Sequence, residues 1–278
     1  MSVKIVVDST VDLTDDIKSQ VKVVPLSVLF GEAEYKDGVT ITAEKFYEML
    51  VQSQQLPTTS QPTPAAFEQG YQELVEAGHE VVVITIASKL SGTYQSATIA
   101  AEEFPGKVFV VDSRNAALAS GVLAEYALRL AKDGMSGQQI LDVLMEKRKQ
   151  LRLYAIVDTL EYLKKGGRLS STVAFVGGML NLKPIICVED GEIKTLGKAR
   201  GSKAAFSMLT KECGNHGGVD YTMPILLGRT GNDEVPLKNY LESCPELWAP
   251  DTRTTIVGSA IGVHAGPGAV ALGFFSKE

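Results

Sequence analysis

The chain has 278 residues, 45% of them hydrophobic and 22% charged, the profile of an ordinary globular protein with material for a sizeable core. A net charge of −6 argues against a nucleic-acid partner, because phosphate binding needs concentrated Lys and Arg. No apolar run nears the 18 or more residues of a spanning helix. The opening MSVKIVVDST lacks the basic start and apolar stretch of a secretory signal, so a cytoplasmic protein without membrane insertion is expected.

VKIVVDS (3–9) reads as a buried strand, followed by a helix beginning near Thr14. Residues 44–52 read as a second helix, with Phe46, Met49 and Leu50 on one face. The segment SQQLPTTSQPTP (53–64) breaks it and reads as a loop. Thr63 and Pro64 then look like the cap and first residue of a helix through Phe67, Tyr71 and Leu74. EVVVITIAS (80–88) and KVFVVDS (107–113) are further buried strands. Helices are expected at about 93–103, 117–132 and 137–150. Strands covered on both faces and separated by helices predict an N-terminal α/β/α domain on a parallel sheet, over residues 1–152.

From 153 to 278 the pattern changes to an α+β domain. RLYAIVDT (152–159) is a strand, and residues 171–184 form a strongly apolar predicted helix. Asp190-Gly191 marks a hairpin turn between two strand-like runs in 184–201. Elements near 202–213 (helix), 223–229 (strand) and 234–242 (helix) follow, and 252–275 reads as two strands around a Gly-Pro-Gly turn. Cys187, Cys213 and Cys244 are too few and too scattered for a disulfide framework or a zinc site, and no metal is expected.

Polar residues fall at the carboxyl ends of the three parallel strands: Asp8-Ser9, then Ser88 with Ser91-Gly92-Thr93, then Asp112-Ser113. Open α/β sheets bind ligands at that edge, and a helix start such as that after Ser91 favours an anion. The same hydroxyls also serve as plain helix caps. Arg168 and Arg200 lie in glycine-bearing loops, and His264 is placed at the end of a strand beside a Pro-Gly turn.

Seven motifs occur in order along the chain: DSTVDL (8–13), TSQPTP (59–64), SKLSGTYQSA (88–97), VDSRNAALASG (111–121), KKGGRLS (164–170), GKARGSKAA (197–205) and HAGPGA (264–269). In these the chain resembles the DegV family, the fatty-acid-binding subunits that bacteria pair with a soluble fatty acid kinase. The resemblance implies an acyl chain, such as palmitate or oleate, buried between two domains. Its carboxylate would be held by Thr59 and Ser91, with Ser60, Gly92 and Thr93 beside them and His264 close by. Arg168 and Arg200 match family arginines near the same end of the ligand, Arg200 also as a kinase contact. Where the family often has a basic residue, this chain has Ser202.

Such a protein catalyses nothing itself. The kinase brings ATP and Mg²⁺, and the chain contains no phosphate-binding G-x-x-x-x-G-K-[ST] loop. Candidate tunnel walls are Val173, Phe175, Val176, Met179 and Leu180, with Ile256, Ile261 and Phe274. Two alternatives remain open: a carrier of another amphipathic carboxylic acid, and a hydrolase built on Ser91 and His264 with Asp8 or Asp112.

Overall fold

The computed structural model describes residues 2–169, 181–249 and 251–278. The chain opens with β1 (Val3–Asp8), whose last four residues are all buried, as in a strand covered on both faces. There follow α1 (Asp15–Lys18), β2 (Lys22–Val24), β3 (Ser27–Phe30), β4 (Ala33–Lys36), α2 (Ala43–Gln52) and β5 (Thr58–Ser60). Then come α3 (Pro64–Glu76), β6 (Glu80–Thr85), α4 (Thr93–Ala101), β7 (Val108–Asp112), α5 (Ala117–Lys132) and α6 (Gly137–Lys147). Thr42 and Thr63 cap α2 and α3 through their hydroxyls, and Ser136 with Gln139 forms a capping box on α6.

β2, β1, β6 and β7 form a parallel sheet in that order. Alternate residues face opposite layers: Val6, Val81 and Val83 pack on α3 and α4, whereas Ile5, Val7, Val82 and Ile84 pack on α5 and α6. The connections diverge at β1 and β6, which makes their carboxyl ends the crevice of this sheet. Asp8 spans it by accepting the N–H of Ile86 at 2.9 Å.

The second half contains β8 (Leu151–Ile156), α7 (Glu161–Lys165), β9 (Leu182–Glu189), β10 (Glu192–Arg200) and α8 (Gly201–Cys213). It continues with β11 (Leu226–Arg229), α9 (Val235–Ser243), β12 (Thr254–Ile256), α10 (Ser259–Ala265) and β13 (Val270–Phe275). A six-stranded mixed sheet runs β10-β9-β8-β13-β11-β12. Its β9–β10 turn has Asp190 at φ 50° and Gly191 at φ 78°, the left-handed pair that a two-residue hairpin demands. Helix α5 lies between the two large sheets, so close to the second that a Cβ on Gly273 would come within 2.5 Å of the Leu118 carbonyl carbon. Ile5, Val82, Leu118, Val122 and Ala271 thus share one core that joins the two halves.

Three expectations need correction. Residues 53–64 are not all loop: Thr58–Ser60 is β5, which completes a small antiparallel sheet β4-β3-β5. Two strands were expected over 252–275, but α10 is inserted between β12 and β13, so His264 sits on a helix rather than at a strand end. Of the predicted apolar helix at 171–184, residues 170–180, with Val173, Phe175, Val176, Met179 and Leu180, lie outside the described residues; from Leu182 the chain is already β9.

Candidate ligand site between the two sheets

A cavity opens where the carboxyl edge of the parallel sheet faces the six-stranded sheet. Its floor runs from Leu153 and Ala155 of β8, with Val157 just past the strand's end, to Ala271 of β13, with Ala269 just before the strand's start. Its roof includes Ala260, Ile261, His264 and Ala265 of α10. Ile86, Leu90 and Ala117 close the side nearest the parallel sheet. Apart from a few polar groups the lining is aliphatic, and four of those groups are the expected Thr59, Ser91, Arg168 and His264.

Each reaches the cavity for a local reason. Strand β5 pairs with β3, and its alternation turns Thr59 inward while Thr58 and Ser60 stay exposed. Ser91 follows β6, and its Oγ lies 2.8 Å from Thr93 Oγ1 and accepts the Thr93 N–H at 3.3 Å, an ST turn that starts α4. Arg168 is fastened by its own guanidinium, which donates from Nε to the Leu90 carbonyl at 3.2 Å and from Nη1 to the Gly166 carbonyl at 2.6 Å. On α10, Ile261, His264 and Ala265 stand at the i, i+3, i+4 spacing of one helix face.

His264 Nε2 lies 3.0 Å from Thr59 Oγ1. Its Nδ1 is buried without a hydrogen-bond partner among the described residues. Gly166 sits against the ring so closely that any Cβ there would collide with it. Burial, and secondarily the positive charge of Arg168, lowers the His264 pKa to about 4, so the imidazole is neutral at physiological pH. The cavity therefore offers two hydroxyls, a neutral imidazole and a guanidinium at one end of an apolar space. That combination can satisfy a carboxylate stripped of water, which unpaired burial would make very costly.

The other expected residues are placed elsewhere. Ser60 is exposed, and Thr93 is buried against Ser91. Gly92 gives room to Gln61: a Cβ there would strike the Gln61 side chain, whose Nε2 donates to Ser96 Oγ at 3.0 Å. Gln61 thus latches the β5 loop to α4, a role the reading of its motif missed. Arg200 is exposed at the start of α8. Ile256 packs with Phe46 and Tyr47, and Phe274 faces the other side of the sheet, with ring centroids 5.7 Å from Tyr154 and 6.5 Å from Trp248. Neither supplies the tunnel wall expected of it. Cavity-lining Thr10, Thr230 and Ala117 (φ 51°) were not foreseen.

The hydrolase arrangement is not assembled. His264 contacts Thr59 instead of Ser91, while Asp8 accepts from Thr10 and Ile86 and Asp112 accepts from Ser88 and Arg114. Among the described residues no cluster of three or more His, Cys, Asp or Glu could hold a metal, and no helix is long and apolar enough to cross a membrane. All three cysteines are free and buried.

Comparison with known proteins agrees over the whole length. A family profile described as "Uncharacterised protein, DegV family" matches residues 2–277. A DegV domain-containing protein of Caldanaerobacter subterraneus subsp. tengcongensis is 37% identical over 280 residues, covering 99% of each chain. A solved structure concerned with fatty acid binding of a DegV family protein from Thermus thermophilus has a TM-score of 0.88 at 34% identity, covering 99% of this chain and 100% of that one. A stearic acid-binding protein from Eubacterium ventriosum has a TM-score of 0.83 at 30% identity, covering 99% and 98%. With the family profile and the relatives each spanning nearly the whole length, the chain belongs to the DegV family.

Proposed function

We propose that the protein binds a long-chain fatty acid in the cavity between its two large sheets. The chain would be held by its carboxylate at Thr59, Ser91, Arg168 and His264. The observation that carries this reading is the pairing of an aliphatic space with convergent donors at one end, which matches an amphipathic acid and little else. Relatives of the same fold are described as binding fatty acids, one of them stearic acid. Burial of each CH₂ contributes about 0.8 kcal/mol, so a 16-carbon tail offers on the order of 10 kcal/mol before the cost of ordering it.

The function extends from carriage to presentation: the bound carboxylate is offered to an ATP-dependent fatty acid kinase in the cytoplasm, and this chain performs no chemistry. The family resemblance supports that step, and exposed Arg200 is the residue to test for docking. We place the boundary between the two domains at 152/153, which falls within β8, the first strand of the six-stranded sheet in chain order.

The test is a titration with oleate and palmitate, followed by kinase, ATP and hydroxylamine to trap acyl phosphate. Binding by the wild type, with Arg200→Ala losing trapped product but keeping its affinity, supports both steps. Equal loss of affinity and product in Arg200→Ala contradicts the docking role. Binding of a retinoid or bile acid in preference to either fatty acid moves the ligand to another amphipathic acid.

A further inference from the structure

The DSTVDL segment contributes little to the cavity lining, yet two of its carboxylates are buried. Asp8 ties β1 to the β6 end. Asp12 has a different partner: its Oδ1 accepts the N–H of Gly258, at 2.7 Å, from the far end of the chain. Beside it Asp37, in the loop after β4, accepts the next two amides, Ser259 N–H at 3.0 Å on Oδ1 and Ala260 N–H at 3.2 Å on Oδ2. These are the first amides of α10, which have no acceptor within their own helix. The residue at the cap position is Gly258, which has no side chain to serve them. A Cβ there would lie 3.2 Å from Asp12 Oδ1 and 3.5 Å from Asp37 Oδ2, so the glycine also leaves room for both carboxylates.

For a seven-residue helix this is an expensive cap. Asp12 and Asp37 are 6% and 3% exposed, and the two acids repel. Burial pushes both carboxyls above their ordinary range, and Asp37 adds its charge to the push on Asp12. Asp8 at the end of β1 adds to that push, while the Gly258 amide and Lys18 from α1 oppose it. A serine at 258 would cap the helix locally without burying charge. What the arrangement gains is a link between halves of the chain, and α10 is where such a link matters. Six residues after Gly258 the same short rod carries His264 against Thr59.

We propose that Asp37, assisted by Asp12, is a positioning residue for His264, holding the N-terminus of α10 so that the imidazole meets the ligand carboxylate. The sides of α10 are fixed separately. Gly262 lies against the rings of Phe46 and Tyr47, and the Tyr47 hydroxyl donates to the Val257 carbonyl at 3.0 Å. The two aspartates set how far the helix slides along its axis, and at 1.5 Å per residue a rigid turn and a half transmits that displacement to the ring. This inference rests on the proposed role of His264 in carboxylate binding.

The test compares Asp37→Asn, Asp37→Ala and Asp12→Asn with Leu144→Ala, a control in the buried face of α6. Imidazole titrations are followed by nitrogen-15 NMR in ligand-free protein, where His264 must be told apart from His79 and His216, and oleate affinity is measured alongside. In the wild type His264 stays neutral down to about pH 4, from burial and Arg168. Asp37→Ala is expected to move its titration by a unit or more toward the ordinary 6.5, with oleate binding about tenfold weaker. Should Asp37→Ala not fold, Asp37→Asn, which keeps one acceptor, gives the same changes in smaller measure. Asp12→Asn retains its acceptor for Gly258, loses the like charge, and leaves His264 unmoved. Leu144→Ala lowers the melting temperature and changes neither readout. A His264 titration in folded Asp37 variants identical to that of the control overturns the proposal. Failure of the wild type to bind oleate instead removes the role assumed for His264, and leaves the titration result readable by itself.

Discussion

The two faces of the six-stranded sheet are built on one backbone and do opposite things. Toward α8 and α9, β8 and β13 present Tyr154, Ile156, Val270, Leu272 and Phe274, which pack with Phe206, Tyr240 and Trp248 into a filled aromatic core. Toward the parallel sheet the intervening positions are Leu153 and Ala155 of β8, with Val157 just past its end, and Ala271 and Gly273 of β13, with Ala269 just before its start. Ala155 and Ala271 are direct cross-strand partners, and both line the cavity. Strand alternation assigns residues to faces, and side-chain volume then decides whether a face becomes core or container. Here the container lies where alanine stands opposite alanine.

Substitutions three residues apart on the same strand, and so on its opposite faces, should therefore break the protein in different ways. The largest effect is expected at Phe274→Ala, which removes a ring that is 1% exposed: a loss of about 3–5 kcal/mol in denaturant unfolding, with oleate affinity of the folded protein nearly unchanged. Ala271→Leu should do the reverse. Leucine enters the ligand space, weakening oleate by about 100-fold, or about 2.7 kcal/mol, while the unfolding midpoint stays close to wild type. A destabilisation of about 1–3 kcal/mol there would mean that the face is packed solid, as overfilled cores are. Next comes Ser91→Ala, expected to weaken fatty acid binding by about 1–3 kcal/mol through an unmet carboxylate oxygen, and calorimetric titration reads it directly.

The smallest effect is in pH dependence. The folded pKa of His264, about 4, lies below its ordinary 6.5, so the unfolded chain binds more protons between these values. Stability from this group is present above pH 6.5 and is lost as pH falls toward 4, by about 1–2 kcal/mol at pH 5. Asp8 has the opposite sign: raised by burial from 3.8 to about 6, it binds more protons when folded and gains stability as pH falls through that window. The two nearly cancel in the wild type. In His264→Gln the opposing loss is gone, so the melting temperature should rise relative to wild type on acidification from pH 7 to pH 5.

Much of this was legible in the residues. Buried strands such as β1, β6 and β7 announce themselves as apolar runs ending in polar residues, and Asp190-Gly191 fixes a hairpin by backbone chemistry alone. The small sheet β4-β3-β5 was not, because its strands are three or four residues long and β5 consists of Thr and Ser. Helix α10 was obscured by the preceding β-branched run Thr254-Thr255-Ile256-Val257, and a helix of seven residues leaves little periodicity to read. Phe274 was assigned to the wrong side since a strand's parity becomes known only once its partners are. The pairing of Asp12 and Asp37 with Gly258–Ala260 joins segments more than 220 residues apart, and nothing local encodes it.

The most direct measurement is native mass spectrometry of the purified protein, followed by denaturation and identification of what is released. One long-chain fatty acid per chain, displaced in Ala271→Leu and retained in Phe274→Ala, is the result predicted for a container on one face of the sheet only. An empty protein that also takes up neither palmitate nor oleate when they are added would contradict it.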